Sequence, residues 1–152
     1  MRYRERLRVP VSWWAVGLFF SVSFATAVGF VLGPVVSLVA GVLVALAIVA
    51  ALWWYGSVSV SVDSEALRAG DAVLEWQWAG AVKVLDGVAT RERLGAAADP
   101  NALLVTRGYV RAAVEVEIAD EADPHPYWLI STRHPTELAQ AIEAELSLRM
   151  QR

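Results

Sequence analysis

Charge is absent from one long stretch of this chain. Between Arg8 and Asp63 lie 54 consecutive residues without an Asp, Glu, Lys or Arg. Within that stretch, Val11 to Leu32 (22 residues) and Val35 to Trp54 (20 residues) are mostly apolar, with Gly33-Pro34 between them. At about 1.5 Å of rise per residue, each run is long enough to cross the roughly 30 Å hydrocarbon core of a bilayer. Gly33 suits a helix end, and Pro34 suits the first turn of a new helix, where its missing N–H costs nothing. So short a link makes the helices antiparallel. The pattern predicts a two-pass transmembrane hairpin over residues 11–55, preceded by a basic head of residues 1–10.

The period changes to two at Gly56. Ser57-Val58-Ser59-Val60-Ser61-Val62 alternates strictly, as a half-buried strand does. Asp63-Ser64-Glu65 reads as a turn, Ala66 to Ala69 as a strand and Gly70-Asp71 as a hairpin turn. Ala72 to Trp76 and Ala81 to Gly87 follow as strands, and Trp76 and Trp78, two apart, are expected on one strand face. Thr90 is placed to cap a single helical turn ending at Gly95. Leu103 to Thr106 is the next strand. Val110 to Ile118 alternates again, which puts Val114 and Val116 inward and Arg111, Glu115 and Glu117 outward. An acidic, proline-bearing loop, Asp120 to Pro126, precedes the strand Tyr127 to Thr132. Pro135 opens a terminal helix over residues 135–149, with Leu138, Ala141, Ile142 and Leu146 on its sheet-facing side.

About seven antiparallel strands and one terminal helix therefore occupy residues 56–152. That order resembles the pleckstrin-homology-like (PH-like) domains. The resemblance implies an α+β membrane protein whose hairpin is followed by a seven-stranded antiparallel barrel with a C-terminal helix. A second resemblance rests on particular residues: Tyr3-Arg4-Glu5-Arg6-Leu7, Leu67-Arg68-Ala69-Gly70, Asp99-Pro100, Thr106-Arg107, Asp123-Pro124, and the run Pro126-Tyr127-Trp128-Leu129-Ile130-Ser131-Thr132-Arg133 with Pro135. Together these are similar to the actinobacterial membrane-protein family called domain of unknown function 3093. That resemblance implies the lineage and the two-pass layout, and no activity.

Composition narrows the function classes. With 57% apolar residues and a mean hydropathy of +0.45, the chain is neither disordered nor collagen-like. Without cysteine it has no disulfide, thiolate metal site or thiol nucleophile. The net charge of −3 divides into a head of four arginines against Glu5 and a remainder of nine basic against fifteen acidic residues. Phosphate neutralisation needs a basic surface, so nucleic acid is not an expected partner.

The aromatic residues fit a hairpin. Trp13 and Trp14 open the first run, and Trp53, Trp54 and Tyr55 close the second, so both clusters fall at one membrane interface as anchors. The head arginines lie just outside that face, and the positive-inside rule makes it cytoplasmic. Both termini and the C-terminal domain are then expected in the cytoplasm, at the cell membrane. The rival reading is a cleaved signal peptide ending at Ala25-Thr26-Ala27; the apolar stretch that continues from Val28 weighs against it. Small residues recur every fourth position: Gly17, Ser21, Ala25, Gly29 and Gly33, then Ser37, Gly41 and Ala45. Such a ridge packs helices closely in lipid, here within the hairpin first and in a homo-oligomer or against a membrane-protein partner second. With no ionisable group in either run, an ion or proton path is not expected.

Catalytic constellations are poor. Ser131, His134 and Asp123 supply the residue types of a hydrolase triad but lack a nucleophile elbow. His125 and His134, the only histidines, make a weak metal site without thiolates, so neither a metal nor a cofactor is expected. Glu115 and Glu117 sit about 7 Å apart by strand rise, a spacing that a solvated strand face gives more often than acid–base chemistry does. The best chemical candidates are Arg91, Arg93, Arg107, Arg111 and Arg133, near strand ends and loops. They would hold an anionic ligand or acidic partner segment if they converge, and would otherwise pair with Asp86, Asp99, Asp120 and Asp123. Phosphoinositide binding at the first hairpin turn is disfavoured, because Asp63-Ser64-Glu65 repels anionic lipid.

The sequence thus predicts a non-enzymatic, membrane-tethered interaction module or accessory subunit whose partners are the bilayer and a membrane or envelope protein. The alternative is a sensor or small enzyme that binds an anionic metabolite or lipid head group through the arginines.

Overall fold

The structure, a computed structural model, describes residues 3–120 and 122–150. They form two compact units, residues 8–57 and residues 3–7 with 58–150.

The first unit is a helical hairpin, α1 (Val11–Leu32) and α2 (Pro34–Tyr55). Pro34 opens α2, and Gly33 makes the turn at φ +84°, a backbone region that favours glycine. The small-residue ridge forms the contact between the helices. Ser21 Oγ–H donates to the Gly41 carbonyl (3.0 Å) and Ser37 Oγ–H to the Ala25 carbonyl (2.5 Å). A Cβ on Gly41 would lie 2.8 Å from Ala25 Cβ, and one on Gly17 would lie 2.6 Å from Ile48 Cγ2. One on Gly29 would reach Ser37 Oγ at 3.1 Å, and Ala45 is half-buried on the same helix as Gly41. Trp13 stacks on Tyr55 with centroids 6.1 Å apart, while Trp14, Trp53 and Trp54 are exposed. Both helices are long and apolar enough to span a membrane, and only 6% of each apolar window is buried.

The second unit begins before the hairpin. Residues 1–10 read as a separate head, yet β1 (Tyr3–Arg6) is a strand, paired antiparallel with β2 (Ser59–Val62). Leu7 N–H extends the ladder to the Val58 carbonyl at 2.9 Å. β3 (Ala66–Ala69) and β4 (Ala72–Glu75) complete a sheet in the order β1-β2-β3-β4. The Asp63 carboxylate closes the β2–β3 turn by accepting the Glu65 and Ala66 N–H groups, which lowers its pKa. Trp76–Trp78 is a 3-10 turn, so these tryptophans do not share a strand face. Trp76 is buried, with its indole N–H on the Asp63 carbonyl (3.0 Å), and Trp78 is exposed.

A second sheet has the order β5-β7-β8-β6, with β5 (Ala79–Leu85), β6 (Leu103–Val105), β7 (Ala113–Ile118) and β8 (Tyr127–Ser131). β6 runs parallel to β8, because the chain between β5 and β6 is long enough to include α3 (Gly87–Leu94) and cross over. Asp86, not Thr90, caps α3 by accepting the Val88 and Ala89 N–H groups. The expected seven-stranded antiparallel barrel is therefore corrected to two four-stranded sheets with one parallel pair. The strand missing from the sequence reading is β1. Val60, Val62, Leu67 and Trp76 of the first half pack with Val114, Val116, Trp128, Ile130 and, from α4 (Pro135–Met150), Leu138 and Ile142.

The helix contact yields a test. Gly41→Leu is expected to lower the melting temperature of the full chain in detergent, followed by far-ultraviolet circular dichroism, because its side chain must displace Ala25. Phe30→Ala, at a position 87% exposed, should leave it unchanged. Equal melting of Gly41→Leu and the parent chain would refute the close packing.

Candidate functional site

Three of the five candidate arginines line one cavity. Its volume is about 240 Å³, and its walls are Gly87, Thr90, Arg91 and Leu94 of α3, residues Thr106 to Gly108 with Val110 and Arg111 from the β6–β7 connection, and Ser131 at the end of β8. Each wall is held by the local chemistry of its residues. Asp86 fixes the start of α3, and the buried Thr90 hydroxyl donates back to the Leu85 carbonyl at 3.4 Å. Ser131 Oγ accepts the Arg107 N–H (3.1 Å), which draws the connecting loop to the end of β8. Arg107 Nη1 donates to the Thr106 carbonyl (2.8 Å), and the Val110 N–H closes a turn on the Arg107 carbonyl (2.8 Å). The Tyr109 hydroxyl donates to the Leu7 carbonyl at 2.7 Å, tying this loop to the end of β1.

Arg93 and Arg133 lie elsewhere. Arg93, two residues beyond Arg91, forms a two-pronged pair with Glu115: Nε–Oε2 is 2.5 Å and Nη2–Oε1 is 2.8 Å. Its guanidinium also covers the Tyr127 ring, 4.4 Å from the centroid, and the bond to Glu115 raises its pKa. Glu115 faces away from Val114 and Val116 as the alternation predicts, yet it is buried, because α3 covers that face and a buried carboxylate is tolerated where a cation such as Arg93 reaches it. A second concavity, lined by Lys83, Asp86, Glu92 and Arg93 among others, carries charges of both signs. The backbone N–H of Arg133 donates to Glu5 Oε1 at 3.1 Å.

The aspartates named as possible partners of the arginines accept backbone N–H groups in their own loops. Asp86 holds Val88 and Ala89, Asp99 holds Asn101, Asp120 holds Ala122, and Asp123 holds His125. The triad residue types do not assemble. Ser131 is buried against Arg107, His134 Nδ1 lies 3.5 Å from Glu137, and Asp123 is occupied by His125. Among the described residues no group of three His, Cys, Asp or Glu could hold a metal.

A polar cluster absent from the sequence reading joins β1 to β8. Glu5 Oε2 accepts the Tyr3 hydroxyl (2.7 Å) and the Thr132 hydroxyl (2.6 Å), and the His134 N–H donates to Thr132 Oγ1 (3.0 Å). Burial, and then the neighbouring Glu5 carboxylate, push the Tyr3 phenol well above its ordinary range. The signal was present, since Tyr3-Arg4-Glu5 and Ser131-Thr132-Arg133 both belong to the runs that carry the family resemblance.

Two measurements check these contacts. Arg93→Ala strands a buried carboxylate and, because Arg93 is itself one-third exposed, should cost about 2–3 kcal/mol in chemical unfolding; Arg93→Leu with Glu115→Leu should recover most of it. A loss under about 0.5 kcal/mol would contradict a buried pair. The raised Tyr3 pKa adds stability that is fully present below the unfolded tyrosine value of 10.0 and is lost as pH rises above it. Tyr3→Phe should therefore flatten the alkaline fall in stability, and an unchanged slope would contradict the assignment.

Comparison with curated proteins and with solved structures gives no match. A family model described as "Protein of unknown function (DUF3093)" matches residues 2–142, from the first strand, through both apolar helices and both sheets, into the terminal helix. The chain belongs to that family.

Proposed function

We propose that this chain is a two-pass membrane protein that presents its β unit in the cytoplasm as a non-enzymatic binding module, a scaffold or an accessory subunit for a membrane or envelope protein. One observation carries this reading: two apolar helices whose surfaces stay exposed are inserted between two strands that pair with each other. A helix from the core of a soluble protein would be buried, whereas Phe19, Phe20, Leu38 and Leu46 are each at least 60% exposed. A cleaved signal peptide fits poorly as well. Removal of residues 1–27 would take β1 from its sheet and Ala25 from its contact with Gly41. Arg4, Arg6 and Arg8 ahead of α1 favour a cytoplasmic start, and two crossings return the chain to that side.

A second reading, a sensor of an anionic ligand, is favoured by the convergence of Arg91, Arg107 and Arg111 on one cavity. The two readings are compatible, because a ligand in the β unit can modulate a partner held elsewhere on it.

The membrane reading has a direct test. The protein should remain in the membrane fraction after alkaline carbonate extraction, begin with its encoded N-terminus by intact mass, and place a reporter fused after Arg152 in the cytoplasm. Release by carbonate, or a mature chain beginning at Val28, would refute it.

A further inference from the structure

We propose that the cavity between α3 and the Arg107–Arg111 loop binds a small phosphate monoester as its dianion. This rests on the anionic-ligand reading of the same cavity and does not depend on membrane crossing. Three arginines line the cavity, and among the described residues no Asp or Glu does. Neither Arg91 nor Arg111 takes part in an ion pair among the described residues. Arg91 and Arg111, two like charges lining one cavity, favour an incoming anion, and two cations complement a dianion better than a carboxylate monoanion. Planar guanidinium forks match phosphate oxygens in paired hydrogen bonds, which favours a tetrahedral oxyanion.

Size and lining narrow the class. At about 240 Å³ the cavity falls below the range of roughly 300–1,000 Å³ typical of drug-sized ligands. Leu94 and Val110 supply apolar wall beside the arginines, so the ester carries a compact apolar group. Gly87 forms part of the wall, and a Cβ there would make ordinary contact with Arg111 Cβ at 3.5 Å. Both a soluble metabolite and a phosphomonoester lipid head group share this chemistry.

The test is calorimetric titration of the full chain in neutral detergent micelles with phenyl phosphate, and with benzoate for comparison. Phenyl phosphate should bind saturably and about tenfold more tightly than benzoate. Arg111→Ala and Arg91→Ala should each weaken it by about tenfold, whereas Arg68→Ala, on the surface of β3, should change it less than about twofold. Unaltered binding in both cavity variants, or equal loss in Arg68→Ala, would overturn the site. Benzoate binding as tightly as phenyl phosphate would overturn the phosphate class and leave the anionic-ligand reading standing. Binding of neither compound would overturn both. In phosphatidylcholine nanodiscs, displacement of phenyl phosphate by phosphatidic acid supports the site with a head group as its ligand, and retention supports it with a soluble ester.

Discussion

The structure depends on a pairing across the longest uncharged stretch of the chain. Tyr3–Arg6 lies in register against Ser59–Val62, and Leu7 N–H meets the Val58 carbonyl at 2.9 Å. This ladder brings together residues on either side of about fifty others, and loop closure of that length costs only a slowly growing entropy. The intervening helices offset that cost through their own close contact at Ser21, Ala25, Ser37 and Gly41. The apolar hairpin is thus an insertion into a β unit rather than an anchor placed ahead of one.

The same ladder locates the polar chemistry. Glu5, on β1, gathers hydrogen bonds from Tyr3, Thr132 and the Arg133 backbone, so the first strand is fixed to the end of β8 as well as to β2. One residue earlier on β8, Ser131 holds the loop that carries Arg107 and Arg111. Tyr109, in that loop, returns to the Leu7 carbonyl just before the hairpin begins. The arginine cavity and β1 are therefore linked within the β unit through Ser131, Thr132 and the loop that carries Arg107 and Arg111.

Much of this was legible in the sequence where periodicity is strong. The extents of α1, β3 and α4 follow from apolar runs, capping residues and a Gly70-Asp71 turn, and the structure places them within a residue of the sequence reading. β1 was not legible: four residues rich in arginine look like a charged head, and only a distant partner makes them a strand. The parallel β6–β8 pair was hidden for the same reason, since pairing direction is set by the long crossover and not by local pattern. Glu115 looked solvated because alternation cannot anticipate a cation delivered from α3. The convergence of Arg91, Arg107 and Arg111 lies beyond periodicity as well, because they come from two segments that meet only in the folded unit.

The pairing of β1 with β2 can be measured directly in the full chain. The chain has no cysteine, so one engineered pair reports on one contact. Arg4→Cys with Ser61→Cys, directly opposed across the ladder, should cross-link rapidly on mild oxidation of the full chain in cell lysate. Arg4→Cys with Val73→Cys, on β4 at the far edge of the same sheet, should not. Cross-linking of the first pair alone is the result that an inserted hairpin requires. Its failure, or equal cross-linking of both pairs, would contradict the account.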